Sequence, residues 1–132
     1  MKMRIISSKN EIAEVKPNEE VVHLTFRPSN KDIFQILTKC PDLQAVHIPE
    51  SYYNTVSKTV KLYLDMQNIS LIKGDVWGHR KDINEYSEIS ENIYERIREY
   101  RKQGLSDDEI VSNMEDTGLS DDFIRFLVKQ NT

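Results

Sequence analysis

The sequence predicts an α/β fold of about four mostly parallel strands alternating with three helices, followed by a C-terminal helical appendage. Three observations predict it. Short runs rich in β-branched residues recur along the first 82 residues, helix-start signals follow the first three runs, and apolar residues then recur at helical spacing. We therefore expect an α/β domain at residues 1–82 and an acidic helical subdomain at residues 83–132, packed together as one compact unit.

The four candidate strands are short apolar runs separated by turn-forming residues. They occupy residues 4–6, 20–26, 44–48 and 69–72. All four prolines fall between predicted elements, and Gly74 closes the fourth strand. Helical connections between successive strands favour parallel pairing with right-handed crossovers.

Helix-start signals follow the first three strands. Ser8 with Glu11 has the pattern of a capping box, and Ser29 with Asp32 is its aspartate variant. Pro49 opens the third helix, since proline is tolerated in a first helical turn. Each of the first three strands is therefore predicted to lead into a helix.

Alternation along the predicted strands divides their side chains between two faces of the sheet. The first face is uniformly apolar and comprises Ile5, Val22, Leu24, Phe26, Val46, Ile48, Ile69 and Leu71. The second is mixed and comprises Arg4, Ile6, Val21, His23, Thr25, Ala45, His47, Ser70 and Ile72. We expect the three helices on the first face and the C-terminal helices at least partly over the second; a standard doubly wound sheet, covered on both faces, is the alternative.

The last fifty residues are predicted to be helical. A stripe at helical spacing indicates one long helix ending at Gly104 and comprises Ile83, Tyr86, Ile89, Ile93, Ile97 and Tyr100. A Gly-Leu-Ser-Asp-Asp sequence then occurs twice, at residues 104–108 and 118–122, and each copy pairs a helix-ending glycine with a serine N-cap. Three helices joined by such turns resemble a helix-turn-helix unit in outline.

Charge disfavours nucleic acid as the partner of this unit. Residues 83–132 carry 6 basic and 12 acidic side chains, a net of −6, whereas residues 1–82 carry 12 and 10, a net of +2. The candidate recognition helix would begin with Asp121 and Asp122, which would face phosphates. Because DNA affinity depends largely on neutralising phosphates, a DNA-binding regulator is an alternative and not our first interpretation.

Composition bounds the setting of the protein. Its 132 residues contain a single cysteine, Cys40, which excludes an intramolecular disulfide. No apolar run approaches the roughly 20 residues that span a bilayer, and the first residues lack a signal-peptide core. No Gly-rich phosphate-binding fingerprint is present. We expect a cytoplasmic protein with no membrane partner and no cofactor.

The first candidate site is the edge formed by the carboxyl ends of the strands, where open α/β sheets bind ligands. Helix N-termini and basic side chains at this edge suit an anion. The loop after the fourth strand is the richest segment in ionisable and aromatic groups, and His79 is the best candidate for a catalytic acid or base. The predicted ligand-binding residues are Arg27, Ser29, Glu50, Ser51, Asp75, Trp77, His79 and Arg80. Capping, packing and pairing with the acidic tail are the alternative explanation of these residues.

The second candidate site is the pair His23 and His47 on the mixed face, beneath the C-terminal helices. The two histidines are 24 residues apart in matching strand segments, so we expect them to be neighbours on adjacent strands, about 5 Å apart at Cβ. They are weak candidates for metal ligands and could equally form a pH-sensitive contact. Half-buried, hydrogen-bonded histidines are the commoner outcome, and no metal site is predicted.

Three segments carry a resemblance to a known family. They read Arg-Ile-Ile-Ser-Ser at residues 4–8, Leu-Gln-Ala-Val-His-Ile-Pro-Glu-Ser at 43–51 and Gly-Asp-Val-Trp-Gly-His-Arg at 74–80. In this order they resemble a small family of uncharacterised proteins from methanogenic archaea, across essentially the whole chain. That family has no established activity, so the resemblance implies an archaeal cytoplasmic setting and assigns no catalytic residue.

The function that these observations favour is that of a small binding or interaction protein with a regulatory role. We expect its partner to be a small anionic ligand or another protein. The sequence does not decide whether the chain forms a homo-oligomer. The alternative from another class is an enzyme acting on an anionic small molecule, with His79 as acid or base and Arg27 and Arg80 holding the anion.

Overall fold

The computed structural model describes residues 2–75 and 86–130. Its strands are β1 (Lys2–Ile6), β2 (Val21–Leu24), β3 (Ala45–Ile48), β4 (Ser70–Lys73) and β5 (Tyr86–Glu88). Its α-helices are α1 (Asn30–Lys39), α2 (Glu50–Tyr53), α3 (Lys58–Met66), α4 (Glu91–Lys102), α5 (Asp107–Ser112) and α6 (Asp121–Gln130), with 3₁₀ helices at Lys9–Glu14 and Glu115–Thr117. None of these helices is both long and apolar enough to cross a membrane.

The strands form one mixed sheet in the order β4-β3-β2-β1-β5. The first four strands along the chain pair in parallel, and β5 pairs antiparallel with β1 at the edge of the sheet. The predicted α/β fold, mostly parallel and followed by C-terminal helices, is confirmed. The first 3₁₀ helix, α1 and the pair α2–α3 connect the successive parallel strands. A single third helix was predicted, but the structure has two, because Ser57 caps a new helix that begins at Lys58.

Strand β5 corrects the prediction of a helix through Tyr86 and Ile89. A spacing of three residues fits a helix face, but here Tyr86 forms a strand pair with Arg4, and its hydroxyl donates to the buried carboxylate of Glu19 at 3.0 Å. Helix α4 begins only at Glu91, where the Ser90 hydroxyl accepts a hydrogen bond from the backbone N–H of the second helical residue. Ile83, which opened the predicted stripe, lies outside the described residues.

Helices cover both faces of the sheet. Helices α1 and α3 and the first 3₁₀ helix pack on what we call the α1 face, whose buried apolar strand residues are Ile6, Val22, Leu24, Val46 and Ile48. Helices α4, α5 and α6 pack on what we call the histidine face, whose buried strand residues are Met3, Ile5, Val21, His23, Ala45, His47 and Ile72. The acidic C-terminal helices thus lie over the second face of the sheet.

The side chains of β1 point opposite to the prediction. Parallel pairing aligns Ile5 with His23 and Ile6 with Leu24, so Ile5 lies on the histidine face and Ile6 on the α1 face. The prediction assigned Ile5 to the apolar face, and alternation then placed Arg4 on the mixed face. Arg4 is nevertheless only 3% exposed, because its guanidinium lies 3.9 Å from the buried carboxylate of Glu19. The ion pair with Glu19 offsets the cost of burying the Arg4 side chain, which the strand pattern alone did not predict.

Candidate functional site

A cavity of about 110 Å³ lies between the histidine face and the turn that precedes α6. Three strands, the segment after β4 and the C-terminal helical unit all contribute to its walls. Its lining residues are Met3, His47, Asp75, Ser87, Ile89, Thr117, Gly118, Leu119 and Phe123. The cavity therefore joins the two parts of the chain.

His47 supplies the buried polar group of this cavity. The register of β2 and β3 places His23 directly beside His47, as the sequence predicted. The two Nδ1 atoms are 2.7 Å apart, and the residues are only 2% and 1% exposed. Because both partners of this short contact are ring nitrogens, one Nδ1 donates a hydrogen and the other accepts it.

Burial determines the charge of His47. Removal from water lowers the pKa of its imidazole to about 4, well below the ordinary 6.5. His47 is therefore neutral near pH 7. Since its Nδ1 atom is occupied by His23, its Nε2 atom is the one left for a further partner.

The backbone of Gly74 passes close to that Nε2 atom. A Cβ placed on Gly74 would lie 2.6 Å from Nε2 of His47 and 2.7 Å from Oγ of Ser120, both closer than non-bonded atoms approach. Ser120 in turn accepts a hydrogen bond at 3.2 Å from the Phe123 N–H in the first turn of α6. Only glycine leaves room for the end of β4, the histidine and the start of α6 to meet here.

The geometry of the histidine pair is that of a hydrogen bond and not of a metal site. Zinc binds histidine nitrogens at about 2.0–2.1 Å each, so two nitrogens sharing one ion in tetrahedral geometry lie well over 3 Å apart. Nδ1 of His23 and Nδ1 of His47 are closer than that. Within residues 2–75 and 86–130, no group of three or more His, Cys, Asp or Glu side chains could hold a metal ion.

The predicted ligand-binding residues divide into two groups in the structure. All five described residues are exposed, but only Asp75 lines the cavity, whereas Arg27, Ser29, Glu50 and Ser51 do not. The guanidinium of Arg27 lies over the ring of Tyr52, 5.8 Å from its centroid. The Ser29 hydroxyl accepts from the Asp32 N–H at 3.2 Å and so caps α1, as the alternative explanation expected.

Three of the predicted site residues, Trp77, His79 and Arg80, lie outside the described residues. Of the two locations that the sequence suggested, the cavity lies at the second, the histidine face beneath the C-terminal helices. Binding of a ligand at either location stays a prediction.

Sequence reasoning missed the contribution of the C-terminal unit to the cavity. Thr117 and Leu119 line it because they flank Gly118, whose positive φ of 78° turns the chain between the second 3₁₀ helix and α6. The duplicated Gly-Leu-Ser-Asp-Asp sequence was the available signal, since it marked this turn without showing what the turn faces.

A second buried polar cluster was also missed. The Glu19 carboxylate accepts from the Tyr86 hydroxyl with both oxygens, each at 3.0 Å, and pairs with Arg4. The Arg4 guanidinium lies over the Tyr86 ring, 5.3 Å from its centroid. This cluster fixes β5 to the edge of the sheet and thereby positions Ser87 at the cavity. A lone arginine within an apolar strand was the available signal.

Acidic side chains engage several basic groups of the C-terminal helical unit. Arg96 makes a two-pronged contact with Asp116, at 3.0 Å to each oxygen. The Arg125 guanidinium of α6 lies 2.6 Å from the Asp108 carboxylate of α5. These pairs reduce the positive potential that a phosphate backbone would meet.

The molecule thus combines a mostly parallel sheet, with its crossover helices, and a three-helix unit of helix-turn-helix outline. Comparison with protein families agrees with both parts. Residues 2–85 match the N-terminal domain of a family of unknown function, DUF1699, and residues 92–129 match the C-terminal HTH domain of the same family. The chain belongs to the DUF1699 family. No curated protein and no solved structure matches it.

Proposed function

We propose that the protein is a regulatory binding protein whose small ligand occupies the cavity between the histidine face and the helical unit. One observation carries this proposal. The cavity is lined jointly by the sheet, through Met3 and His47, and by the helix-turn-helix unit, through Thr117 and Phe123. A ligand there contacts both parts of the chain at once.

Because both the sheet and the helical unit line the cavity, ligand binding depends on the position of the helical unit. A ligand that contacts both walls binds best when the unit is docked on the sheet, so it shifts the population toward the docked arrangement. A ligand present at about 100 times its dissociation constant stabilises the folded state by roughly 2.7 kcal/mol. In the proposed regulatory role, the ligand therefore acts by stabilising the docked arrangement of the helical unit on the sheet.

A thermal-shift screen with small molecules of about the size of benzene tests the proposal, because a cavity of this volume accommodates compounds of that size. We expect at least one compound to raise the melting temperature of the wild-type protein. The Ser87→Leu variant, whose larger side chain fills the cavity from β5, should lose this response. If Ser87→Leu folds poorly, Ser87→Val makes the same test with a smaller side chain.

The matched control is Ser70→Leu, which makes the same change on the opposite edge strand, β4. It should keep the response of the wild-type protein. If no compound stabilises the protein, or if the response is the same in all variants, the proposal is wrong.

DNA binding is a second candidate function, because residues 92–129 match an HTH domain. The net charge of −6, the acidic start of α6 and the pairing of Arg125 with Asp108 all disfavour it. Fluorescence anisotropy with random duplex DNA at low salt tests this function. Salt-dependent binding would support it, and no binding under these conditions would exclude it as the main role.

Other expectations from the sequence stay predictions. They are a catalytic role for His79, an anionic ligand at the strand-end edge, a protein partner or a second copy of the chain, a cytoplasmic location and an archaeal origin. Activity of a His79→Ala variant on any substrate found for the protein would test the first of them.

A further inference from the structure

We propose that the cavity takes a small primary amine cation, with its ammonium group at the Asp75 carboxylate and its short apolar body against the inner walls. This inference rests on the proposed function and names the chemical class of its ligand. It differs from the anionic ligand that the sequence favoured.

The charge of the described lining residues favours a cationic ligand. Among the described lining residues, Asp75 carries the only formal charge near pH 7. His47 is neutral there because burial lowers its pKa to about 4. An anion would meet a carboxylate and no described cation, whereas an ammonium group meets a counter-ion.

The remaining polar atoms are few, which fits a ligand with one polar end. The Thr117 hydroxyl donates to the Met114 carbonyl at 2.7 Å and accepts from the Leu119 N–H at 3.3 Å, so it is occupied within its own turn. The Nδ1 atom of His47 is occupied by His23. The Asp75 carboxylate, the Ser87 hydroxyl and Nε2 of His47 are left to contact a ligand.

Apolar side chains form the rest of the wall. They are Met3, Ile89, Leu119 and Phe123. Three of them are at least nine-tenths buried, at 2% for Met3, 6% for Ile89 and 0% for Phe123. Such a wall suits hydrocarbon and gives no partner to a second charged group.

Volume limits the length of the ligand. A dry cavity of about 150 Å³ holds a benzene molecule, and this one measures about 110 Å³. An unbranched amine of three or four carbons fits entirely within that space, whereas only part of a nucleotide or a phosphosugar would enter it. Charge and volume together therefore favour a small cation with a short hydrocarbon chain.

Three probes of matched length test the inference in the full-length protein. They are n-butylammonium chloride, n-butanol and sodium butyrate, each titrated while amide chemical shifts are followed by nuclear magnetic resonance. We expect n-butylammonium to bind more tightly than n-butanol by roughly three- to tenfold, the range for a partly exposed charged contact. Butyrate should bind most weakly of the three.

Asp75→Asn removes the charge and keeps the shape of the side chain. It should weaken n-butylammonium binding by roughly three- to tenfold and leave n-butanol binding within about twofold of the wild type. The control Asp122→Asn makes the same change on α6, at a residue that does not line the cavity, and should leave both affinities unchanged.

Failures of this inference and of the proposed function are distinguishable. If butyrate or n-butanol binds more tightly than n-butylammonium, or if Asp75→Asn leaves n-butylammonium binding unchanged, the amine assignment is wrong while the cavity still binds a ligand. If none of the three probes shifts the resonances of the cavity, the amine assignment is wrong and the proposed function loses its site.

Discussion

The two faces of the sheet are covered equally well but are built differently. The α1 face presents Val22, Leu24, Val46 and Ile48 from its two central strands, each at most 1% exposed. The histidine face presents His23 and His47 from the same two strands, at 2% and 1%. Burying imidazoles costs free energy that apolar side chains would not, so the histidine face is not optimised for stability alone.

The difference supports the proposed site on the histidine face. The α1 face is lined by apolar residues from β2 and β3 that pack on α1 and α3, which is the composition of a structural core. The histidine face encloses the cavity of about 110 Å³ and places the neutral ring of His47 in its wall. Destabilising polar groups that persist in a core are candidates for function.

The largest expected effect comes from the α1 face. Leu24→Ala removes a fully buried side chain from β2 and should lower the free energy of unfolding by roughly 2–5 kcal/mol. Urea denaturation measures this loss, and the cavity of the folded fraction should keep its affinity for n-butylammonium. A loss below about 1 kcal/mol would show that this face is not the main structural core.

Acid should destabilise the protein through the histidine face. The pKa of His47 is about 4 in the folded protein and 6.5 ordinarily, so the unfolded chain takes up the proton first as the pH falls. The free energy of unfolding should therefore decrease between pH 6.5 and 4, by roughly 3 kcal/mol, with no further contribution below pH 4.

Comparison with His47→Gln isolates this effect, because the carboxylates titrate in both proteins. Urea denaturation at a series of pH values should show a steeper loss of stability in the wild type than in the variant. Parallel curves would contradict the assignment of a depressed pKa to His47.

The histidine pair should show strong coupling in a double-mutant cycle. His23→Leu leaves the His47 Nδ1 atom buried without its partner and should cost roughly 1–3 kcal/mol. The double variant His23→Leu/His47→Leu replaces both imidazoles by apolar groups and should be more stable than the sum of the two single changes predicts. Additive costs, measured by urea denaturation, would mean that the two rings do not act as a pair.

The smallest effect is expected at the strand-end edge. Ser29→Ala removes the cap of α1 and should cost about 1 kcal/mol, without changing the affinity of the cavity for n-butylammonium. Urea denaturation and the titration described above measure the two quantities. A large loss of ligand affinity with unchanged stability would move the site to the edge that the sequence favoured.

Local patterns were sufficient to predict much of the fold. The period-two alternation of β2 and β3 and their 24-residue offset placed His23 beside His47. Alternation failed at β1, because the ion pair of Arg4 with Glu19 lets a charged residue occupy a core-facing position. Helical spacing failed at β5, where Tyr86 was assigned to a helix face but forms a strand pair with Arg4.

Most of the residues that line the cavity could not be predicted from the sequence, and the reason is geometric. Its walls come from residues as distant as Met3, His47, Ser87 and Thr117, which meet only after the helical unit docks on the sheet. Sequence spacing indicated which face of the sheet the helical unit covers, but not which residues of the unit meet the strands. The predicted site therefore followed the general rule for parallel sheets, that ligands bind at the carboxyl ends of strands, and of the described predicted residues only Asp75 lines the cavity.

The most direct test follows methyl resonances on both faces during one titration with n-butylammonium chloride. We expect the methyl groups of Met3, Ile89 and Leu119, which line the cavity, to shift in a saturable manner. Those of Leu24 and Ile48 on the α1 face should stay unchanged. Equal shifts on both faces, or saturable shifts confined to the α1 face, would contradict the claim that the histidine face holds the ligand site.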